Sequence, residues 1–225
     1  PSEEQISTVT PAVPKKDVYL ESSIYPLDEE IIKQKVALVV CGQTVINNAG
    51  KKFEQFEGTG SGFLVNDYGY ILTNQHVVQS IDDALRAKSK LNAIKEKYNF
   101  EDIIPTIWVF FGEEEKYEAE IIHISEKYDF AILKAKRLRN KHYFNLSSTD
   151  EIKRGTKVYT LGFPAMSRKF TLGEADLKSH KKGIQDYFSK SDFGYVQKAG
   201  EVSVVKNTLE EGKVIEHDAT INGGN

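Results

Sequence analysis

Two side chains stand where strands would hold them for proton transfer. His76 lies in ILTNQHVV (71–78), at the end of an apolar run, and Asp129 lies in KYDFAILK (127–134), just ahead of another. The last five residues, INGGN (221–225), form a glycine-rich turn after the alternating stretch VIEHDATI (214–221). An imidazole, a carboxylate and such a turn together suggest hydrolysis through a serine nucleophile. The imidazole takes the serine proton, and the carboxylate fixes the ring tautomer and stabilises its cation. Glycines ahead of the nucleophile let backbone N–H groups face the developing oxyanion. Asp67, Asp82 and Asp83 are alternatives for the carboxylate, but none precedes an apolar strand in this way.

Other chemistries find less support. There is no phosphate-binding Gly-x-x-x-x-Gly-Lys-Ser/Thr loop and no His-Glu-x-x-His pair. The five histidines are dispersed, which argues against a metal site, and no cofactor motif is present. GTGSG (58–62) is not a nucleophile elbow, because Thr59 and Phe63 occupy its outer positions. A net charge of -3 gives no reason to expect nucleic acid or an anionic membrane as partner. No apolar run approaches the roughly 20 residues that cross a bilayer as a helix. Cys41 is the single cysteine, so no internal disulfide can form; in its apolar strand it reads as a small buried hydrophobe.

The elements that must position these groups are mostly strands. Residues 35–46, 104–111, 116–124, 130–136, 157–163, 200–206 and 214–221 combine β-branched and apolar residues with turn signals between them. GSGFLVNDYGYILTNQHVV (60–78) holds two strand-like runs around Asn66, Asp67 and Gly69, the pattern of a hairpin. Many short strands at near-regular spacing predict barrels or a sandwich. Residues 1–17, with three prolines and no sustained period, read as an arm or linker, and 28–34 as a short helical or irregular segment. Two segments break the rhythm. In 81–104, Ala84, Ala87, Leu91, Ile94 and Tyr98 form a helical stripe. The stretch 166–199 is polar with scattered aromatics, and loops of that length are commonly functional.

Taken in order, these stretches resemble the trypsin-like serine proteases of the bacterial heat-shock HtrA/Deg type. The family's GSGF strand and ILTNxHVV stretch match residues 60–78, its D-x-A-[IVL]-L-K pattern matches DFAILK (129–134), and its LGFP stretch matches 161–164. GEVS (200–203) resembles a strand opening of the family. HDATINGGN (217–225) resembles the segment leading into its nucleophile, with Gly223 in place of the usual proline. The likeness runs from about residue 35 to 225, with gaps at the two insertions.

The resemblance implies an all-β fold of two antiparallel six-stranded barrels, the second incomplete in this chain. It implies an arm at 1–34 suited to a homotrimer contact, a first barrel at 35–146 with a helical insertion at 81–104, and a second at 147–225 with a long loop at 166–199. It implies His76 as general base and acid, Asp129 as its orienter, the serine expected after Asn225 as nucleophile, and Gly224 as an oxyanion-hole donor. Asp218 and Thr220 would border the substrate pocket, and Ser203 would pair with extended substrate backbone. No carboxylate marks the pocket floor near Thr220, so a small or medium apolar side chain is expected there. The resemblance also implies exposed or unfolded protein segments as substrates, no cofactor, and a location in the periplasm, cell envelope or outside the cell. Loops in the region of 166–199 order or disorder the oxyanion hole in the family, so its deletion is expected to change turnover more than melting temperature. Because the chain begins at Pro1, a processed or trimmed product is expected; because it stops before the serine, the tail is expected to be present but outside this numbering, or cleaved off. The rival expectation is a protease-like fold without catalysis, used to bind proteins.

Overall fold

The computed structural model describes residues 28–148, 150, 152–164, 183–208 and 212–221. Helix α1 (Glu29–Lys33) is capped by Asp28, whose carboxylate accepts from the N–H groups of Glu30 and Ile31. Strands β1 (Val36–Asn47), β2 (Lys52–Leu64) and β3 (Tyr70–Thr73) follow, then helices α2 (Gln75–Arg86) and α3 (Lys88–Tyr98). Strands β4 (Phe100–Phe111), β5 (Glu115–Ile124) and β6 (Ala131–Ala135) complete a closed antiparallel barrel in the order β1-β2-β3-β6-β5-β4. Strands β7 (Lys157–Gly162), β8 (Val196–Thr208) and β9 (Gly212–His217) form a separate three-stranded antiparallel sheet.

The burial of β1 and β4 has a simple origin. Side chains alternate across a strand, and both faces of these two strands are covered. Ala37, Val39 and Cys41, with Ile107, Val109 and Phe111, point into the barrel beside Leu64, Ile71 and Leu133. Val36, Leu38 and Val40, with Trp108 and Phe110, point outward into a second apolar layer. Leu161 and Phe163, from the end of β7, enter that outer layer and seat the second sheet on the barrel. The Phe163 N–H also donates to the buried Ser61 hydroxyl at 2.8 Å.

The outer layer also receives the described part of the long insertion. Residues 165–182 lie outside the described set, but Ile184–Tyr187 and Lys190–Phe193 form two short 3₁₀ turns. Ile184 and Phe193 are buried against Phe56 and Phe110, with Tyr187 and Phe188 beside them. Glu54 accepts the Ile184 N–H at 2.6 Å and pairs with Lys116 at 3.3 Å. Deleting the whole insertion would therefore uncover apolar barrel surface, so stability is at stake along with turnover.

The helical segment starts earlier than its stripe indicates, at Gln75 rather than 81, and it breaks at Ala87. Val78 and Ile81 of α2 plug the barrel core, whereas Leu91 and Ile94 of α3 pack on Val45, Phe53 and Ile103. Asn99, at φ 55°, ends α3 in the left-handed conformation. Strand β4 then begins at Phe100 instead of 104.

Candidate active site

The site begins with strand register. Thr73, the last residue of β3, pairs with Ala131, the first of β6. Because the strands are antiparallel, the residues after Thr73 and those before Ala131 leave the barrel side by side, which brings His76 next to Asp129. The loop before β6 is tight. The buried Ser125 hydroxyl accepts from the N–H groups of Lys127 and Tyr128 at 3.3 and 2.9 Å, and the Ser125 N–H donates to the Phe130 carbonyl.

His76 sits in the first turn of α2, and Val77 beside it packs on Gly60. A Cβ on Gly60 would come within 2.5 Å of Val77 Cγ2, so glycine at that point of GTGSG lets the helix dock on β2. The Cys41 thiol donates to the Val77 carbonyl at 3.1 Å and anchors the same turn from β1.

His76 Nδ1 and Asp129 Oδ2 are 2.8 Å apart, and the His76 N–H donates to Asp129 Oδ1 at 3.0 Å. Asn74 Nδ2 donates to both Asp129 Oδ2 and the Asp129 carbonyl, each at 3.1 Å. Partial burial pushes the Asp129 carboxyl upward, but the hydrogen bonds from the His76 backbone, the His76 ring and Asn74 outweigh it, so its pKa lies below the ordinary carboxylate value. An ionised Asp129 accepts from Nδ1–H, which leaves the Nε2 lone pair free to take a proton. Sequence reasoning brought out His76 and Asp129 but passed over Asn74 and Ser125. The signal for Asn74 was its place two residues before the histidine, at a helix start.

The remaining candidates belong to the second sheet. Ser203 lies on β8 at a register shift between Val202 and Val204, and is exposed. Asp218 Oδ1 accepts the Glu201 N–H at 2.6 Å, and the Asp218 N–H donates back to the Glu201 carbonyl. The Thr220 carbonyl accepts from Thr160 Oγ1 at 3.2 Å. Gly200 allows this close approach, because a Cβ there would lie 2.3 Å from the Ala219 nitrogen. Thr160 and Ile221 help to line an apolar recess of about 330 Å³ with Phe63, Phe144, Tyr159 and Leu161. Gly224 lies outside the described residues. Among the described residues no cluster of three or more His, Cys, Asp or Glu side chains could hold a metal ion, and no helix is long and apolar enough to cross a membrane.

A closed six-stranded antiparallel barrel packed against a second, three-stranded antiparallel sheet agrees with the trypsin-like protease fold, which pairs two such barrels. Residues 60–225 match the trypsin-like peptidase domain family, and the chain belongs to that family. Its relatives include a probable periplasmic serine endoprotease DegP-like of Hahella chejuensis, 31% identical over 111 residues, 49% of this chain and 19% of that protein. A second DegP-like protein, of Buchnera aphidicola, is 24% identical over 157 residues, covering 68% of this chain and 33% of its own length. Serine protease HTRA1 of Xenopus laevis is 27% identical over 140 residues, covering 62% and 25%. The chain thus spans between about a fifth and a third of the length of these relatives. Among solved structures, Deg5 aligns with a TM-score of 0.55 at 17% identity, over 87% of this chain and 73% of its own. The HtrA-type protease AlgW, solved with a decapeptide, aligns with a TM-score of 0.50 at 18% identity, over 87% and 52%. The family match makes the chain a trypsin-like peptidase domain, the fold agrees, and the relatives it resembles include DegP-like and HTRA1 serine proteases.

Proposed function

We propose that this chain is the catalytic domain of a serine endopeptidase in which His76 is the general base and acid and Asp129 its orienter. The observation that carries the reading is the 2.8 Å contact between His76 Nδ1 and Asp129 Oδ2, together with the 3.0 Å bond from the His76 N–H to Asp129 Oδ1. The backbone bond fixes the carboxylate beside residue 76, and the Nδ1 contact then holds the ring in one orientation, as a general base requires. The nucleophile is the serine expected after Asn225, and Gly224 donates to the oxyanion.

In this reading His76 Nε2 takes the serine proton as Oγ attacks the scissile carbonyl. The imidazolium, stabilised by Asp129, then protonates the leaving amine, and water repeats the sequence on the acyl-enzyme. Thr220 and the turn of Asp218–Ile221 border the substrate pocket, with Asp218 acting as the clamp that ties this turn to β8. The apolar recess beside Thr160 and Ile221 supports preference for a small or medium apolar side chain. Ser203, exposed at its bulge, is proposed to meet extended substrate backbone.

The periplasmic DegP-like relatives support an extracytoplasmic compartment, and the family resemblance read from the sequence supports exposed or unfolded protein segments as substrates and an arm at 1–34 that serves a homotrimer. A fluorophosphonate probe tests the chemistry. The intact protein should label at the serine following Asn225, and His76→Ala should abolish labelling. A protein that neither labels nor hydrolyses an unfolded substrate would instead be a binding module.

A further inference from the structure

Asparagine is among the best residues for starting a helix, because its side-chain oxygen can accept an N–H from the second or third helical residue. Asn74 occupies the N-cap position of α2 with extended backbone, φ -75° and ψ 146°, yet its side chain makes no capping hydrogen bond. The N–H it would satisfy, that of His76, goes to Asp129 Oδ1 instead. The Asn74 amide is turned the other way, with Nδ2 on Asp129 Oδ2 and on the Asp129 carbonyl. The capping duty has passed to the aspartate, and the asparagine has become a donor to it.

We propose that Asn74 is a positioning residue, whose amide holds the Asp129 carboxylate so that Oδ2 meets the His76 ring. The inference rests on the protease reading above. Without Asn74, two of the four bonds that fix Asp129 to this strand end are lost, and the carboxylate can rotate about its Cβ–Cγ bond. The ring would then drift between tautomers, and Nε2 would no longer be reserved for the serine proton. By grasping the Asp129 carbonyl as well, the same amide fixes the backbone that enters β6.

Two substitutions separate this role from helix capping. Asn74→Ser keeps a good capping residue but ends one bond short of Nδ2, whereas Asn74→Ala loses both capacities. For a positioning residue, both variants of the intact protein should lose about 100-fold in kcat, as small misplacements of catalytic groups do. KM should stay within about twofold, the range in which ground-state binding is unaltered. Because Asn74 makes no capping bond, the melting temperature should shift by a similar small amount in both variants. If Asn74→Ser keeps kcat within about twofold of wild type, the proposal is overturned.

Nitrogen-15 spectra of the His76 ring supply a readout independent of turnover. The wild type should carry its proton on Nδ1, and both variants should show mixed tautomers. An unchanged ring in both variants would also overturn the role. If the wild type hydrolyses nothing, the protease reading fails by itself, and the ring spectra still decide whether Asn74 orients Asp129.

Discussion

The barrel and the three-stranded sheet solve the same packing problem with different means. In the barrel every strand has two neighbours, and residues such as Val39, Leu133 and Trp108 are wholly buried. In the sheet β7–β8–β9, most of β8 is exposed or half-buried, and Val202 is its one fully enclosed side chain among the described residues. The proposed base and orienter ride on the barrel, at strand ends fixed by register. The turn proposed to face the substrate rides on the sheet, held by the Asp218–Glu201 and Thr160–Thr220 bonds. Proton transfer is thus proposed for the closed barrel, and the substrate-facing turn for a sheet that, among the described residues, buries few side chains of its own. Regions with few buried contacts open most readily.

The contrast can be broken most sharply from the barrel side. His76→Ala should lower kcat about 10⁴- to 10⁶-fold and leave the melting temperature nearly unchanged, because the side chain is 69% exposed; peptide hydrolysis beside calorimetry checks both. Next comes Gly200→Val. Its Cβ would lie 2.5 Å from Asp218 Oδ1 as well as 2.3 Å from the Ala219 nitrogen, so the 218–221 turn must shift. A loss of about 100-fold or more in kcat/KM is expected. The fluorescence of Trp108, which faces the outer layer of the barrel, should meanwhile stay native.

One substitution made twice sharpens the comparison. Val39→Ala removes two methyl groups from a closed core and should cost about 2–3 kcal/mol, transfer plus residual cavity. Val202→Ala makes the same deletion in the open sheet, where neighbours can collapse, and should cost about 1–1.5 kcal/mol. Urea unfolding curves would rank them, and equal costs would mean that the sheet is as tightly packed as the barrel.

The smallest effect is expected from pH. The folded pKa of Asp129 is depressed, so its contribution to stability is present above the unfolded value of about 3.9 and is lost as pH falls through the lower folded value. Asp129→Asn should therefore be less stable than wild type at neutral pH and converge with it in acid. The gap should be small, because the side chain is 52% exposed and solvent screens the pair. Melting temperatures measured from pH 7 down to about 2 would trace the convergence.

The two halves also differ in how far the sequence announced them. The strands of the first barrel were legible because their apolar runs are long and their turns carry Asn, Asp and Gly. His76 and Asp129 were legible because each sits at the end of such a run. The start of α2 was not, because the stripe from Ala84 to Tyr98 spans a break at Ala87, whereas the positions that enter the core are Val78 and Ile81. The role of Asn74 was hidden for a different reason. Its residue type predicts a cap, and only the three-dimensional neighbour reveals that the cap is supplied by Asp129, in the loop before β6. The long insertion gave no period, because Ile184, Phe188 and Phe193 are spaced to fit a surface on another part of the chain and follow no repeat of their own.

Cys41 gives the barrel a built-in clock. It is the only thiol in the chain, it is fully enclosed, and burial pushes its pKa far above the ordinary thiol range. While β1 is seated, no thiolate is available to an alkylating reagent. The sulfur also touches the Val77 carbonyl, in the helical turn that carries His76. Each modified molecule would therefore record one excursion in which strand and helix parted, and the labelling rate would count those excursions without any engineered probe.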